Sequence, residues 1–452
     1  MKGFRPLLCA GAVVFLSCVS SPGAYRHIDA GVDAGDFEGA LAALESGRQG
    51  QELYLPGDAI LLYLDRGILE HYAGRYGESA ADLEAAEDLI RAAYTRSISQ
   101  GIASYILNDN VRDYAGEDYE DLYINVFAAL DYYHRGDSQG ALVEIRKLTE
   151  KLDFLAAKYA EDAARIEEYA RSRVEGITLP QAPPPVNLAD SALARYLSGI
   201  FYRGMGLRDD ARIDFARLAD LWGASRSVQS GPLPKALALS GPRGQERNAE
   251  LDIPPGQARL NVLGFTGLGP IKVEEQVRVF FPFPYVPDGY ITIPALRERP
   301  SVINGVELTV EGPAYSGSVG LYPIENMGAV MAAAFSQKYQ VTLAKTFVRT
   351  VIKYLAAEMA GRSATEQSGS ELFGFIAARA AKAAADATER ADTRSSRYLP
   401  SLAWAGGINL PPGNYAVTVR FLAGSRVVYT RICDSVPVAA GRTNLIEVVS
   451  LR

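Results

Sequence analysis

Cysteine is scarce in this chain of 452 residues, which contains only three. Cys9 and Cys18 lie close to the N-terminus, so Cys433 has no cysteine in the rest of the chain with which to pair. A framework of disulfides is therefore excluded as a source of stability.

Histidine is equally rare, and its scarcity limits the chemistry that the chain can carry out. The three histidines, His27, His71 and His134, have no second histidine or cysteine nearby at the spacing of metal ligands. We therefore expect no metal site and no other cofactor.

Clusters of basic residues and long apolar runs are also missing. The chain has a formal net charge of -7 and its lysines and arginines are dispersed, which argues against nucleic acid as a ligand. The apolar run at residues 7–16 is shorter than the roughly 20 residues needed to span a bilayer.

Motifs for phosphate binding and nucleophilic catalysis are incomplete. Residues 316–320 lack the first glycine of a nucleophile elbow. Residues 267–272 offer backbone amides and Lys272 to an anion, but match neither a P-loop nor a dinucleotide fingerprint, and a β-turn before a strand at Val273 is the alternative. We therefore expect a binding protein and not an enzyme.

The N-terminus has the order of a bacterial export signal. Lys2 and Arg5 precede the apolar run, and Phe15-Leu16-Ser17-Cys18 has the form of a lipobox, in which a small residue precedes an acylated cysteine. An ordinary secretory signal with an incidental cysteine is the alternative.

The lipobox interpretation gives the chain a location. It predicts a signal peptide at residues 1–17, lipidation of Cys18 and a tether at residues 18–29. Two acyl chains hold a protein stably on a lipid bilayer. Because Val19 is not acidic, we expect a lipid-anchored protein of the cell envelope, on the outer membrane and facing the periplasm.

A repeated pattern in the first half predicts helical hairpins. In each copy a turn glycine is followed five residues later by a small residue, at Gly35/Ala40, Gly74/Ser79, Gly136/Ala141 and Gly206/Ala211. The pattern is typical of tetratricopeptide (TPR) repeats, although the glycines are farther apart than the roughly 34 residues of a regular array. We predict TPR-like helical repeats at residues 30–178 and a last unit at residues 179–222.

One helix of the array is expected to be unusually long. Apolar residues recur every three or four positions from Gln139 to about Val174, which predicts a single helix with a narrow apolar seam. A segment rich in Gly, Pro and Ser at residues 223–257 follows the last unit and is predicted to be a linker.

The remaining residues, 258–452, alternate between apolar and polar side chains and predict a β-rich domain. A helical insertion is expected at about residues 325–392, where Ala344, Val348 and Val351 share one face and Lys345, Arg349 and Lys353 lie elsewhere. The fold class is therefore α+β: an N-terminal TPR-like α-helical array followed by a C-terminal antiparallel β domain with inserted helices.

The most polar segment of the chain is the candidate for binding a partner. Residues 108–125 combine four aspartates, two glutamates and three tyrosines before a predicted TPR helix. Tyrosine offers rigid contact area with a polar tip. The candidate residues are Asn110, Tyr114, Glu117, Tyr119, Glu120, Tyr132, Glu144 and Arg146. A loop that caps the next helix is the alternative for the acidic segment.

Four stretches of the chain, at residues 118–148, 191–215, 260–272 and 392–417, together resemble an uncharacterised family of bacterial TPR-containing envelope lipoproteins with a C-terminal β domain. The resemblance implies an envelope lipoprotein and no known activity. The tyrosine and acidic positions that it matches are Tyr114, Glu117, Tyr119 and Glu120, and its Glu/Arg pair matches Glu144 and Arg146. This last pair can equally hold helices together.

The sequence therefore predicts a membrane-anchored lipoprotein that acts as a protein-binding scaffold. Its expected partners are the lipid bilayer, through acylated Cys18, and another envelope protein, and its oligomeric state is left open. Two alternatives remain: an envelope glycan hydrolase that uses carboxylates around Glu117 and Glu120, and a solute-binding lipoprotein with a deep pocket between its two domains.

The lipid anchor is tested by replacing its attachment residue. We expect the Cys18→Ser variant to lose incorporation of a labelled fatty acid, because the acyl chains are attached to the thiol, and to leave the membrane fraction of the cell. A Cys433→Ser variant is the matched control and should stay on the membrane. Equal labelling of the Cys18→Ser variant and the parent would rule out the lipobox.

Overall fold

A computed structural model describes residues 25–49, 53–99, 113–173, 190–224, 234, 237, 248–281, 284–285, 287–387 and 389–452. The predicted signal peptide, Cys18, most of the tether, Asn110 and most of the linker at 223–257 lie outside these residues. Among the helices of the described part, none is both long and apolar enough to cross a membrane.

The helical array consists of hairpins formed by consecutive helices. The helices are α1 (Arg26–Ala34), α2 (Phe37–Gln49), α3 (Ala59–Tyr72), α4 (Tyr76–Ser99), α5 (Asp118–His134), α6 (Ser138–Arg173), α7 (Ala192–Gly204) and α8 (Arg208–Ala224). A 3-10 turn at Pro56–Asp58 precedes α3. The predicted long helix is confirmed as α6, which contains 36 residues.

Glycines end the first helix of each hairpin for a conformational reason. Gly35, Gly74, Gly136 and Gly206 have φ angles of 78°, 80°, 84° and 79°, in the left-handed region that only glycine enters without strain. The small residues five positions later, Ala40, Ser79, Ala141 and Ala211, are all fully buried. The sequence pattern therefore located the turns correctly.

Close approach between paired helices requires glycine at two further positions. A Cβ atom added to Gly67 would lie 3.1 Å from the side chain of Leu83, and one added to Gly199 would lie 2.8 Å from the ring of Phe215. Leu83 and Phe215 fill the space between the helices of their hairpins and are completely buried.

Two sheets and a long helical hairpin form the second half of the chain. The elements are β1 (Ala258–Phe280), β2 (Asp288–Arg299), β3 (Gly305–Gly312), β4 (Tyr315–Gly320), β5 (Tyr322–Glu325), α9 (Met327–Ser368), α10 (Glu371–Ala387), β6 (Pro400–Leu410), β7 (Gly413–Ala423), β8 (Arg426–Val438) and β9 (Asn444–Ser450). The first sheet has the order β2-β1-β6-β5, with β9 also paired to β1, and the second has the order β4-β3-β7-β8.

The predicted antiparallel β domain is confirmed, and one strand pair within it is parallel. β9 runs parallel to β1, with Leu260 opposite Asn444 and Thr266 opposite Ser450. The chain enters β9 from β8, which belongs to the other sheet, so the connection is a crossover between sheets and not a hairpin. Period-two patterning does not distinguish the two directions.

The alternative considered for residues 267–272, a β-turn before a strand at Val273, was wrong. Residues 267–272 lie within β1, and only an irregularity between Leu268 and Ile271 interrupts its pairing with β2. Gly267 absorbs the local kink with a φ of 64°.

The helical array shares one core with the first sheet, and a second core lies between the two sheets. Leu260 and Val262 of β1 pack between the two sheets, whereas Leu263 and Phe265, on the opposite face of the strand, pack with the helices. The ring of Phe265 lies 5.3 Å from that of Phe127 on α5, measured between centroids. The array therefore covers the outer face of the first sheet.

The predicted tether and the predicted linker are both shorter than expected, because their C-terminal ends belong to the folded part of the chain. Ile28, assigned to the tether, lies in α1 and is buried. Asn248 and Glu250, assigned to the linker, are also buried. Glu250 is completely enclosed and accepts hydrogen bonds from Arg203 and Arg259.

The close packing of the hairpins can be tested at Gly199. We expect Gly199→Ala to lower the free energy of unfolding by about 1–3 kcal/mol, because the added methyl group overlaps the ring of Phe215. Urea denaturation measures the change.

Gly77→Ala is the matched control, because nothing lies within 4 Å of a Cβ atom at this helical position. That variant should be unchanged or slightly more stable. Equal stability of the two variants would contradict the packing.

Candidate functional site

The candidate site is a cleft of about 460 Å³ where the helical array meets β1 and the inserted helix α9. Its lining includes Tyr94 of α4, the segment Asp113–Asp118 and Lys158 of α6 on one side. Lys272 of β1 and several residues of α9 lie on the other side. We call this feature the cleft.

Helix α9 contributes a line of cations to the cleft. Lys338, Lys345 and Arg349 all line it, and their spacing of seven and four residues places them on one face of a helix. The sequence shows that Lys345 and Arg349 lie off the apolar face of α9, but not that this second face is the wall of a cleft.

Glu117 is the carboxylate at which the two sides of the cleft meet. Its Oε1 accepts a hydrogen bond from Lys272 Nζ at 2.6 Å, and its Oε2 accepts one from Lys338 Nζ at 2.9 Å. Burial opposes the negative charge of Glu117, but these two ammonium groups outweigh that effect and lower its pKa. Glu117 is therefore ionised and neutralised by cations.

Glu120 lies one helical turn away and is fully buried. Its Oε1 accepts a hydrogen bond from the Ser396 backbone N–H at 2.6 Å, and its Oε2 accepts bonds from the Tyr114 hydroxyl at 2.7 Å and the Glu117 N–H at 2.8 Å. Burial, aided by the charge of Glu117, raises the pKa of Glu120 to about 7. The bond to Glu117 caps the first turn of α5.

These two carboxyl groups do not have the accessibility that glycan cleavage requires. Glu120 has no exposed surface, and both oxygens of Glu117 are already bonded to lysines. A general acid must reach the glycosidic oxygen of its substrate. Tyr119 is also buried and is not part of the lining. Of the candidate residues, Tyr114 and Glu117 line the cleft, next to Asp113 and Asp118 of the same segment.

The other candidate residues lie in different surroundings. The Arg135 guanidinium is 5.6 Å from the ring centroid of Tyr132. Glu144 is buried, accepts a hydrogen bond from Asn125 Nδ2 at 2.8 Å and pairs with Lys147 at 3.0 Å.

Arg146 donates to the hydroxyl of Tyr202 at 3.0 Å and joins α6 to α7. Within the described part of the chain, Tyr132, Glu144 and Arg146 are outside the cleft lining, and the Glu/Arg pair connects helices. Asn110 lies outside the described residues.

The lining of the cleft is rich in ion-paired charges. The cations are Arg96, Lys158, Lys272, Lys338, Lys345, Arg349, Arg390 and Arg394, and the carboxylates are those of Asp113, Glu117, Asp118, Asp162 and Asp392. These eight cations outnumber the five carboxylates of the lining, but Arg349, Arg390 and Arg394 also pair with Glu389, Glu274 and Asp58, which lie outside it. Sequence analysis missed this cluster because its members come from separate elements.

A second polar cluster joins α3 and α5 to the sheet. His71 Nδ1 lies 2.7 Å from Asp131 Oδ1, and its Nε2 lies 2.6 Å from Glu447 Oε1 on β9. His134 Nε2 lies 3.1 Å from the other oxygen of Glu447. These two histidines, isolated in the sequence, are therefore neighbours in the fold.

The surroundings of His71 favour its charged form. Burial alone would lower the pKa of His71, but the carboxylates of Glu447 and Asp131 raise it to about 10. Such an imidazolium is a poor general base at neutral pH. Among the described residues there is no group of three or more His, Cys, Asp or Glu side chains arranged to hold a metal ion.

No family model, no curated protein and no solved structure matches this chain.

The histidine cluster predicts a dependence of stability on pH. Because the pKa of His71 is higher in the folded chain, about 10, than its ordinary value of 6.5, its contribution to stability is complete below pH 6.5 and is lost as pH rises toward 10. In the parent we expect the free energy of unfolding to decrease between pH 6.5 and 10, and in His71→Gln we expect a smaller decrease. Urea denaturation at several pH values measures both slopes.

The same variant removes the cation that Asp131 and Glu447 share and leaves Asp131 buried without a cation, so we also expect a loss of about 3–5 kcal/mol at pH 6.5. His27→Gln, at an exposed position, is the control and should behave like the parent. A slope in His71→Gln equal to that of the parent would show that His71 is not the titrating group.

Proposed function

We propose that this chain is a lipoprotein of the bacterial cell envelope that acts as a binding scaffold and does not catalyse a reaction. In this proposal acylated Cys18 holds the protein on the outer membrane, facing the periplasm. The helical array and the β domain then present the cleft to another component of the envelope. The lipobox and the resemblance to TPR-containing lipoproteins support the location.

The observation that carries the proposal is the cleft itself. It has the size of a site for a small ligand or a short protruding segment of a larger one, and its walls come from both halves of the chain. Glu117, its central carboxylate, is neutralised by two lysines. Such an arrangement fits binding better than proton transfer.

The same cleft favours one of the alternative functions, a solute-binding lipoprotein. A solute-binding protein needs an enclosed site between two parts of the fold, and the cleft lies between the array and α9. Both functions would use the cleft as the binding site. They differ in the ligand, which is part of a protein for a scaffold and a small molecule for a solute-binding protein.

Photo-crosslinking in living cells tests where the partner binds. A photoreactive amino acid is placed at Arg96 or Arg390, which line the cleft and have side chains that are 57% exposed. We expect both positions to give one and the same adduct, because both face the occupied cleft. Mass spectrometry then identifies it as an envelope protein or a smaller molecule.

Arg420 is the control position, because it is 40% exposed and lies on β7 of the second sheet. It should not give the adduct. Identical adducts from Arg420 and from the cleft positions, or no adduct from either cleft position, would contradict the proposal.

A further inference from the structure

We propose that two copies of this chain associate through the exposed side of α10, so that α9 and α10 of each copy form a four-helix bundle around a twofold axis. This exposed side, which we call the α10 face, consists of Leu372, Phe373, Phe375, Ile376, Ala380 and Ala383. It lies outside the cleft, so the inference goes beyond the proposed function and does not depend on it.

Helix α10 is apolar on both of its sides. Its inner side packs on α9, where Gly374 allows a close approach, because a Cβ atom there would lie 2.7 Å from the carbonyl oxygen of Gly361. On the outer side, the four large side chains of the α10 face are between 46% and 65% exposed. A helix at a protein surface has one apolar face, and a helix that is apolar all round is normally buried. We therefore expect the α10 face to be covered.

The α10 face has nearly the area of a specific interface. Its four large side chains and two alanines expose roughly 500 Å², since a large side chain has about 200 Å² of surface. Gln367 and Ser368 of α9 lie beside it and extend the surface. Specific interfaces bury about 600–1,000 Å² on each partner. Two hairpins that pack together through this face therefore reach the lower end of that range.

Projecting side chains and a groove lie next to each other on the α10 face. Phe373 and Ile376 border an apolar groove of about 380 Å³ that continues to Ala380 and to Ala364 of α9. The large side chains are on the first turns of α10 and the exposed alanines on later turns, so an antiparallel copy sets its large side chains against the alanines. A surface that complements itself gives a twofold interface, in which both copies use the same residues.

The charges around the α10 face favour a second copy over a lipid surface. A helix that lies on a membrane has a polar side rich in Lys and Arg opposite its apolar side. The side of α10 opposite the α10 face packs on α9 instead. Residues 358–382 contain three acidic and three basic residues, so this end of the hairpin has no net charge to attract an anionic bilayer.

A segment of the same chain is excluded as the cover by its length. Helix α9 contains 42 residues and is about 63 Å long at 1.5 Å per residue. Residues 174–189 lead to Ser191, which bonds to Glu325 at the opposite end of α9 from Phe373. A segment of this length spans at most about 55 Å. It therefore cannot cover Phe373 and still return to Ser191.

Two other internal segments outside the described residues are also too short. Leu237, which is buried in the core shared with the first sheet, divides residues 225–247, and residues 100–112 start and end beside the cleft. A loop of this size that returns to its start extends roughly 20 Å. The end of α9 at Ser368 lies about 30 Å beyond Val348, which belongs to that core. The cover of the α10 face therefore comes from another molecule.

Photo-crosslinking in living cells tests the association of two copies. A photoreactive amino acid replaces Ala380, which is exposed and lines the groove, in full chains that carry one of two epitope tags. We expect an adduct that contains both tags, because the α10 faces of two copies meet at this position. The same amino acid at Val302, which is 54% exposed between β2 and β3, is the control and should give no such adduct.

The interface is then disrupted at Ile376. We expect Ile376→Glu to reduce the yield of the adduct by about tenfold or more, because pairing would bury two unpaired carboxylates close together. Val302→Glu is the matched control, because Ile376 and Val302 are both 54% exposed. It makes the same kind of change outside the α10 face and should leave the yield unchanged.

A change of charge separates loss of the interface from loss of folding. Ile376 lies near the middle of the α10 face, so its side chains from two antiparallel copies are close to each other. Ile376→Lys alone should lose the adduct as Ile376→Glu does. Co-expression of the two variants should restore it, because opposite charges then meet across the interface.

The outcome that would overturn the inference is the absence of an adduct with both tags, or an equal yield from the parent and Ile376→Glu. Failure of the two charged variants to restore the adduct would also contradict a twofold interface. Adducts from position 380 with lipid alone would assign the α10 face to the bilayer, and adducts with another protein alone would assign it to that protein. Both results would exclude a second copy as the cover.

Discussion

The fold depends on the burial of strand β1 on both of its faces. Leu260 and Val262 fill the space between the two sheets, and Leu263 and Phe265 meet the helices. An apolar sheet face cannot be left in water without a large free-energy cost, so the first sheet needs a cover on its outer side. The helical array is that cover, which explains why it shares one core with the first sheet.

Apolar contact alone does not fix how the array sits on the sheet, because it is not directional. Buried polar contacts across the boundary are directional. Glu250 bonds to both Arg203 and Arg259, and His71 reaches Glu447 on β9. A shifted arrangement would leave these charges buried without partners, which is costly. The polar contacts therefore select one docking of the array among many that would bury a similar apolar area.

Local patterns allowed much of the fold to be predicted from the sequence. Gly206 has the left-handed conformation that its place in the repeat requires, and the apolar spacing of α6 gave nearly its true length. Partners far apart in the chain could not be predicted. Lys272 lies 155 residues from Glu117, and Glu447 lies 376 from His71. The acidic segment was therefore expected to face a partner, although Glu120 is buried within the fold.

The cleft lies along the face of α9 that carries cations and therefore cannot be part of the apolar core. One face of α9 is apolar and packs on the sheet, whereas the face with Lys338, Lys345 and Arg349 cannot be closed against apolar side chains. The helical array supplies Glu117, which bonds to Lys338, and Glu389 pairs with Arg349. A fold selected only for stability gains by replacing such cations with apolar residues, because buried ion pairs add little net stability. Their presence around an open cavity is the physical reason to regard the cleft as a binding site.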